Sequence, residues 1–157
     1  MMRVFLVATA CLLIVTGCGA KNNSARVSNQ TTGLNVHYHP AQARVPACAH
    51  AGKAVAFPAN FPQNFPVPPG TAITGHRTPI GGGIAATGFV PARSFKQTVN
   101  FFPPQLKRAG FKVLHREVDA PHDSEGSYEG HGYLGGWALR AMPGCAAMTI
   151  QISAKKK

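Results

Sequence analysis

The sequence predicts an α+β domain, an antiparallel sheet of about five strands with one kinked helix packed on one face, preceded by an extended tether. Three observations carry that expectation. Phe95, Val99, Phe102 and Leu106 recur at steps of four, three and four, the spacing of an apolar helical stripe. After Gly110 the period falls to two, with Phe111, Val113 and His115 set against Lys112, Leu114 and Arg116; Met148, Ile150 and Ile152 alternate with Thr149, Gln151 and Ser153 near the end. Residues 19–47, by contrast, are rich in Asn, Ser, Thr, Gln and Ala and show no sustained period. Such a composition buries too little apolar surface to offset the entropy of ordering, and it reads as a tether.

At the N-terminus, Arg3 precedes a charge-free run from Val4 to Val15, apolar but for Thr9, and then Thr16-Gly17-Cys18. A membrane-spanning helix needs about 20 apolar residues, so this shorter run suits the apolar core of a signal peptide. Val15-Thr16-Gly17-Cys18 resembles the lipobox of bacterial lipoproteins, an aliphatic residue and two small residues before cysteine. The resemblance implies that Cys18 receives a diacylglyceryl group, that the chain is cut before it, and that acyl groups such as palmitate hold the protein to the cell membrane or outer membrane on its extracytoplasmic side. One acyl chain anchors only marginally at about 0.8 kcal/mol per buried CH₂, whereas two or more hold stably. An ordinary secretory signal with a chance cysteine is the plainer alternative.

With Cys11 in the signal and Cys18 carrying lipid, Cys48 and Cys145 are left. Two thiols in an exported chain point to one disulfide; two buried free thiols or metal ligands are the alternatives.

Next comes FPANFPQNFPVPPG, residues 57–70. Proline biases the residue before it toward extended geometry, so the stretch is expected to run extended, as a strap docking Phe57, Phe61 and Phe65 into the chain's own domain or as a motif offered to a partner. Three exposed phenylalanines would invite aggregation, which favours the strap. Residues 71–91 read as two strands around Gly81-Gly82-Gly83. No Lys-Ser/Thr follows the glycines and no dinucleotide spacing surrounds them, which removes the phosphate-loop reading.

Ser94-Phe95-Lys96-Gln97 matches a capping box and is expected to start the helix. Pro103-Pro104 interrupts the stripe, predicting a kink or a second short helix; Lys107, Arg108 and Gly110 suit its end. Residues 127–142 form one long bent strand or two, with glycines marking bulges or close approach, and Met142-Pro143-Gly144-Cys145 turns into the last strand. The expected organisation is thus a signal peptide at 1–17, a tether at 18–47, one domain at 48–154 and a frayed basic tail at 155–157.

The chain carries 16 basic and 5 acidic side chains, a net charge of +11. All five acids, Glu117, Asp119, Asp123, Glu125 and Glu129, fall between 117 and 129. A basic body outside the cytoplasm is drawn to anionic surroundings, which points to membrane headgroups, an anionic wall polymer or another envelope protein as partner; no dedicated nucleic-acid site is read.

No catalytic motif appears: His122, Asp123, Ser124 and His131 lie near one another in sequence, but no nucleophile elbow or paired-carboxylate pattern accompanies them, and no cofactor is implied. His37 and His39, with Cys48 and His50, have a spacing that brings a metal site to mind, yet Cys48 is expected in the disulfide and no metal is assigned. Tyr128, Tyr133 and Trp137 lie among glycines, as core packing or as an aromatic platform for a ligand. The body from Phe57 on is also similar to small envelope lipoproteins of bacteria, through its FP...PPGT opening, AGFKV after the helix and a late Gly-Cys turn; that likeness implies location and shape but no active residues. The functional expectation is a non-enzymatic binding or structural module of the envelope, with a small-ligand or metal-binding lipoprotein as the alternative.

Overall fold

The computed structural model describes Tyr38, Ala41 and residues 43–91 and 95–157. Six strands, one more than expected, form a single antiparallel sheet: β1 (Ala72–Arg77), β2 (Ile84–Pro91), β3 (Lys112–Asp119), β4 (Asp123–Gly130), β5 (Tyr133–Ala141) and β6 (Ala147–Lys156). Their spatial order is β1-β2-β6-β5-β4-β3, so the last strand lies at the centre and β1 and β3 form the edges.

The additional strand comes from residues 127–142, which divide into β4 and β5 at His131-Gly132. Both turn residues have positive φ, 50° and 78°, the geometry a two-residue hairpin requires. The nearby glycines provide close approach. A Cβ on Gly126 would fall within the ring of Trp137, its partner across the strands, and one on Gly135 would meet the Ser153 carbonyl and the Tyr128 ring.

One face of the sheet carries the core. Val90, Tyr128, Trp137, Leu139, Ile150 and Ile152 pack there beneath Val99, Phe102 and Leu106 of two short helices, α1 (Phe95–Val99) and α2 (Phe102–Arg108). The expected kinked helix is thus broken. Pro103 falls in the first turn of α2, where its missing N–H costs nothing, and the Arg116 guanidinium spans the break by donating to Asn100 Oδ1 at 2.7 Å and the Val99 carbonyl at 3.4 Å. Gly110 at φ 82° then reverses the chain while the Phe111 N–H donates to the Leu106 carbonyl. Ser94, the expected cap, lies outside the described residues.

Two local expectations are corrected. In β3, Val113 pairs with Tyr128 but His115 pairs with Ser127, so Leu114 is an extra residue in a bulge. The alternation therefore reverses after Val113: Arg116 joins the helix side, and His115 moves to the opposite face. In the strap, the phenylalanines before each proline do not continue into an extended run. The Phe61 N–H donates to the Pro58 carbonyl at 2.9 Å and the Phe65 N–H to the Pro62 carbonyl at 3.1 Å, closing two turns in succession.

Because each turn advances the chain by four residues, the phenylalanines stack along one side, with ring centroids 5.0 Å apart for Phe57 and Phe61 and 5.5 Å for Phe61 and Phe65. Phe61 and Phe65 are buried in the chain's own core, Phe65 against Phe102, Phe111 and Tyr128. The strap therefore serves its own domain.

Cys48 and Cys145 form a disulfide with Cα atoms 5.7 Å apart, joining a short 3-10 turn at Ala47–Ala49 to the turn between β5 and β6. Tyr38, from the segment read as tether, packs edge-on against Phe57 and accepts a hydrogen bond from the Ile73 N–H at 2.9 Å. The tail is not frayed: Lys155 and Lys156 belong to β6, and Lys157 donates from its backbone to the Gly132 carbonyl and from Nζ to Glu129 at 2.6 Å. Among the described residues no helix is long and apolar enough to cross a membrane.

Candidate functional site

Since side chains alternate across a strand, the register that sends Trp137, Tyr128 and Ile152 into the core sends their neighbours to the other face. There Thr87 on β2 lies beside Gln151 on β6, Gln151 beside Ala138 on β5, and Ala138 beside Glu125 on β4. Neither helix covers this face, because both pack on the core side.

Gly136 and Ala138 give it a low floor at the centre of the sheet. Two adjoining hollows result, of about 320 Å³ and about 420 Å³, which share Glu125, Ala138 and Gln151. His115, Ser127 and Ser153 border the first; Thr87, Arg140, Thr149 and the half-buried Phe89 border the second. Hydroxyls, one amide and a few charges share the lining with glycine, alanine and Phe89. The Arg77 guanidinium donates to Gln151 Oε1 at 3.2 Å, fixing the amide at the groove's centre.

The register also explains where the acids go. Glu117 is paired with Glu125, Asp119 with Asp123, and Glu129 with Lys112, so all five carboxylates occupy β3 and β4 on this same face. Like charges directly opposite one another destabilise a sheet; beside them, His115 Nε2 lies 3.8 Å from Glu117, and Arg140 stands across from Asp123. The Lys157 ammonium, by hydrogen bond and by charge, holds the Glu129 carboxyl below its ordinary range. Groups of three or more His, Cys, Asp or Glu arranged to hold a metal do not occur among the described residues.

The residues singled out from sequence divide sharply. Tyr128 and Trp137 lie in the core, Trp137 also reaching the floor of the first hollow: Trp137 stacks on Phe102 at 5.2 Å, and Tyr128 donates to the Ser153 carbonyl at 2.7 Å, with burial raising its phenol well above the ordinary range. Tyr133 is half-buried and donates to the Asn60 carbonyl at 3.4 Å, tying β5 to the strap. The hollow that the glycines create opens on the other side of the same strands.

Ser124 is buried, its hydroxyl donating to the Glu117 carbonyl, and His131 contacts the Ala109 carbonyl at 2.8 Å beneath Phe111, so neither joins the open face. His50 is exposed next to the disulfide; Cys18, His37 and His39 lie outside the described residues. Sequence reasoning missed Thr87, Glu125, Arg140, Gln151 and Ser153 as a set. Period-two polar residues on neighbouring strands were the available signal, but the strand order that assembles them is not written in any one segment. Compared with known proteins, the chain matches no family model, no curated protein and no solved structure.

Proposed function

We propose that this is a lipid-anchored envelope protein whose body is a non-enzymatic binding module, taking an extended polar ligand such as the glycan and peptide strands of a wall polymer along the open sheet face. The observation carrying the binding reading is that face itself, an uncovered groove lined by hydroxyl, amide and carboxylate groups over a floor of glycine and alanine. Strands spaced about 4.8 Å apart present their hydrogen-bonding side chains in regular rows, which suits a repeating polymer better than a compact apolar molecule. The long disulfide supports an oxidising compartment, and Val15-Thr16-Gly17-Cys18 supports the anchor. The small-ligand alternative loses ground because small-molecule pockets are enclosing and predominantly apolar, whereas this groove is shallow and of mixed lining along an open sheet face.

Titrating the isotope-labelled protein with soluble wall fragments should move the amide resonances of Gly136, Ala138, Gln151 and Ser153. Ala138→Arg, which fills the floor, should abolish those shifts without unfolding the protein. Resonance changes confined to the helices, or none at millimolar fragment, would dismiss the groove. For the anchor, radiolabelled palmitate should enter the wild-type chain in cells and not Cys18→Ala; equal labelling of the two, or none in the wild type, removes the lipoprotein assignment.

A further inference from the structure

The strands also sort charge along their length. At one end of the sheet β1 finishes at Arg77, β3 begins at Lys112 opposite Glu129, and β6 finishes with Lys155 and Lys156, followed by Lys157. The C-terminal turn of α2, with Lys107 and Arg108, lies at this same end, because His131 of the β4–β5 turn reaches the Ala109 carbonyl. Glu129 is the acid there, and Lys157 neutralises it. The other four acids lie toward the far end, where the β3–β4 hairpin turns between Asp119 and Asp123.

Beyond the basic end projects the β1–β2 loop, with Ile80 at its tip. Ile80 is 106 % exposed, fully outside the body, and the next three residues, Gly81, Gly82 and Gly83, all have positive φ. Soluble surfaces expose single apolar residues freely, but a fully exposed isoleucine in a turn closed by the Gly82 N–H on the Pro79 carbonyl, at the end of the sheet where the cations gather, is a different arrangement. Leu134, paired with Lys155, and Leu114, two residues from Lys112, are also exposed at this half.

We propose that this end of the sheet is a membrane-contact surface for anionic phospholipid. The lysines and Arg108 meet the headgroup phosphates, Ile80 enters the boundary between headgroups and acyl chains, and the acidic hairpin points away. The combination of an apolar insertion with a polybasic patch is what reversible binding to a charged bilayer requires. It also sets the groove upright above the surface, facing sideways along the membrane. The contact does not depend on acylation at Cys18 and is compatible with it, since 19 residues of chain lie between Cys18 and Tyr38.

The test places tryptophan at the tip. Full-length protein carrying Ile80→Trp is added to vesicles of phosphatidylcholine alone or mixed with phosphatidylglycerol; Trp137 is buried and serves as the constant background. With the anionic lipid, the new emission should shift to the blue and be quenched by brominated acyl chains, and with phosphatidylcholine alone it should stay water-like. Adding Lys155→Glu and Lys156→Glu should lower the quenched fraction at least fivefold, on the order of the loss expected for one basic residue near the surface, and high salt should do the same. Water-like emission on both vesicles, or quenching indifferent to lipid charge and to the two lysines, overturns the proposal. So does an equal blue shift with soluble polyglutamate, which assigns the basic end to a polyanion.

Discussion

Replacing Cys145 with serine should lower the unfolding free energy by about 4 kcal/mol, seen as a fall in the urea midpoint while the far-ultraviolet spectrum of the folded form is retained. The physical basis is loop length. The bridge closes a sequence separation of 97 residues, from the turn that precedes the strap to the turn before the central strand. In the chain-entropy account, a loop of about 100 residues removes about 4.7 kcal/mol worth of freedom from the unfolded ensemble. Domains of this size are stable by about 5–15 kcal/mol, so the loss removes about a quarter or more of the total. Reduction of the wild type with dithiothreitol should reproduce the effect, and should leave Cys145→Ser unchanged. A loss below about 1 kcal/mol in both experiments would mean that the unfolded chain is already compact around this pair.

Phe65→Ala should cost about 3–5 kcal/mol, the range for truncating a buried aromatic side chain. Phe65 is 5 % exposed, and its ring lies within 4.9 to 6.2 Å of those of Phe61, Phe102, Phe111 and Tyr128. It therefore joins the strap, the second helix, the start of β3 and the middle of β4 in one contact set. Phe57, half-buried at the outer end of the same ladder, provides the internal comparison: its alanine variant should cost much less. Phe65→Leu, keeping most of the volume, should recover part of the loss. Thermal melts of the three variants decide the matter. If Phe65→Ala melts with the wild type, the strap is not part of the core and the phenylalanines are free for a partner.

The two expected effects draw on unequal knowledge. The cysteine pair was legible in sequence because exported thiols pair and only two remained after the lipobox was assigned. The strap was legible in purpose but not in conformation. Proline constrains the residue before it, and that local rule holds at each phenylalanine, yet the three residues after each proline fold back through a hydrogen bond that no single-residue preference dictates. The helix was more fully legible: its apolar stripe and its interruption at Pro103-Pro104 were both readable, and what no local rule showed is Arg116 reaching Asn100 from β3 across the break.

By itself the sequence determined the apolar helical stripe and its interruption at Pro103-Pro104, the strands on either side of Gly81-Gly82-Gly83, the alternation of the last strand, the disulfide partners and the positions of the charges along the chain. Periodicity and pairing chemistry are local or compositional quantities, and they survive without a fold. Only the tertiary structure decided that Tyr128 and Trp137 are core, that a bulge at Leu114 turns His115 to the open face, and that the five carboxylates share that face with the groove while cations gather at one end of the sheet. Strand order and register are long-range choices. They are fixed by which apolar faces fit together, and a one-residue slip sends every side chain to the other side.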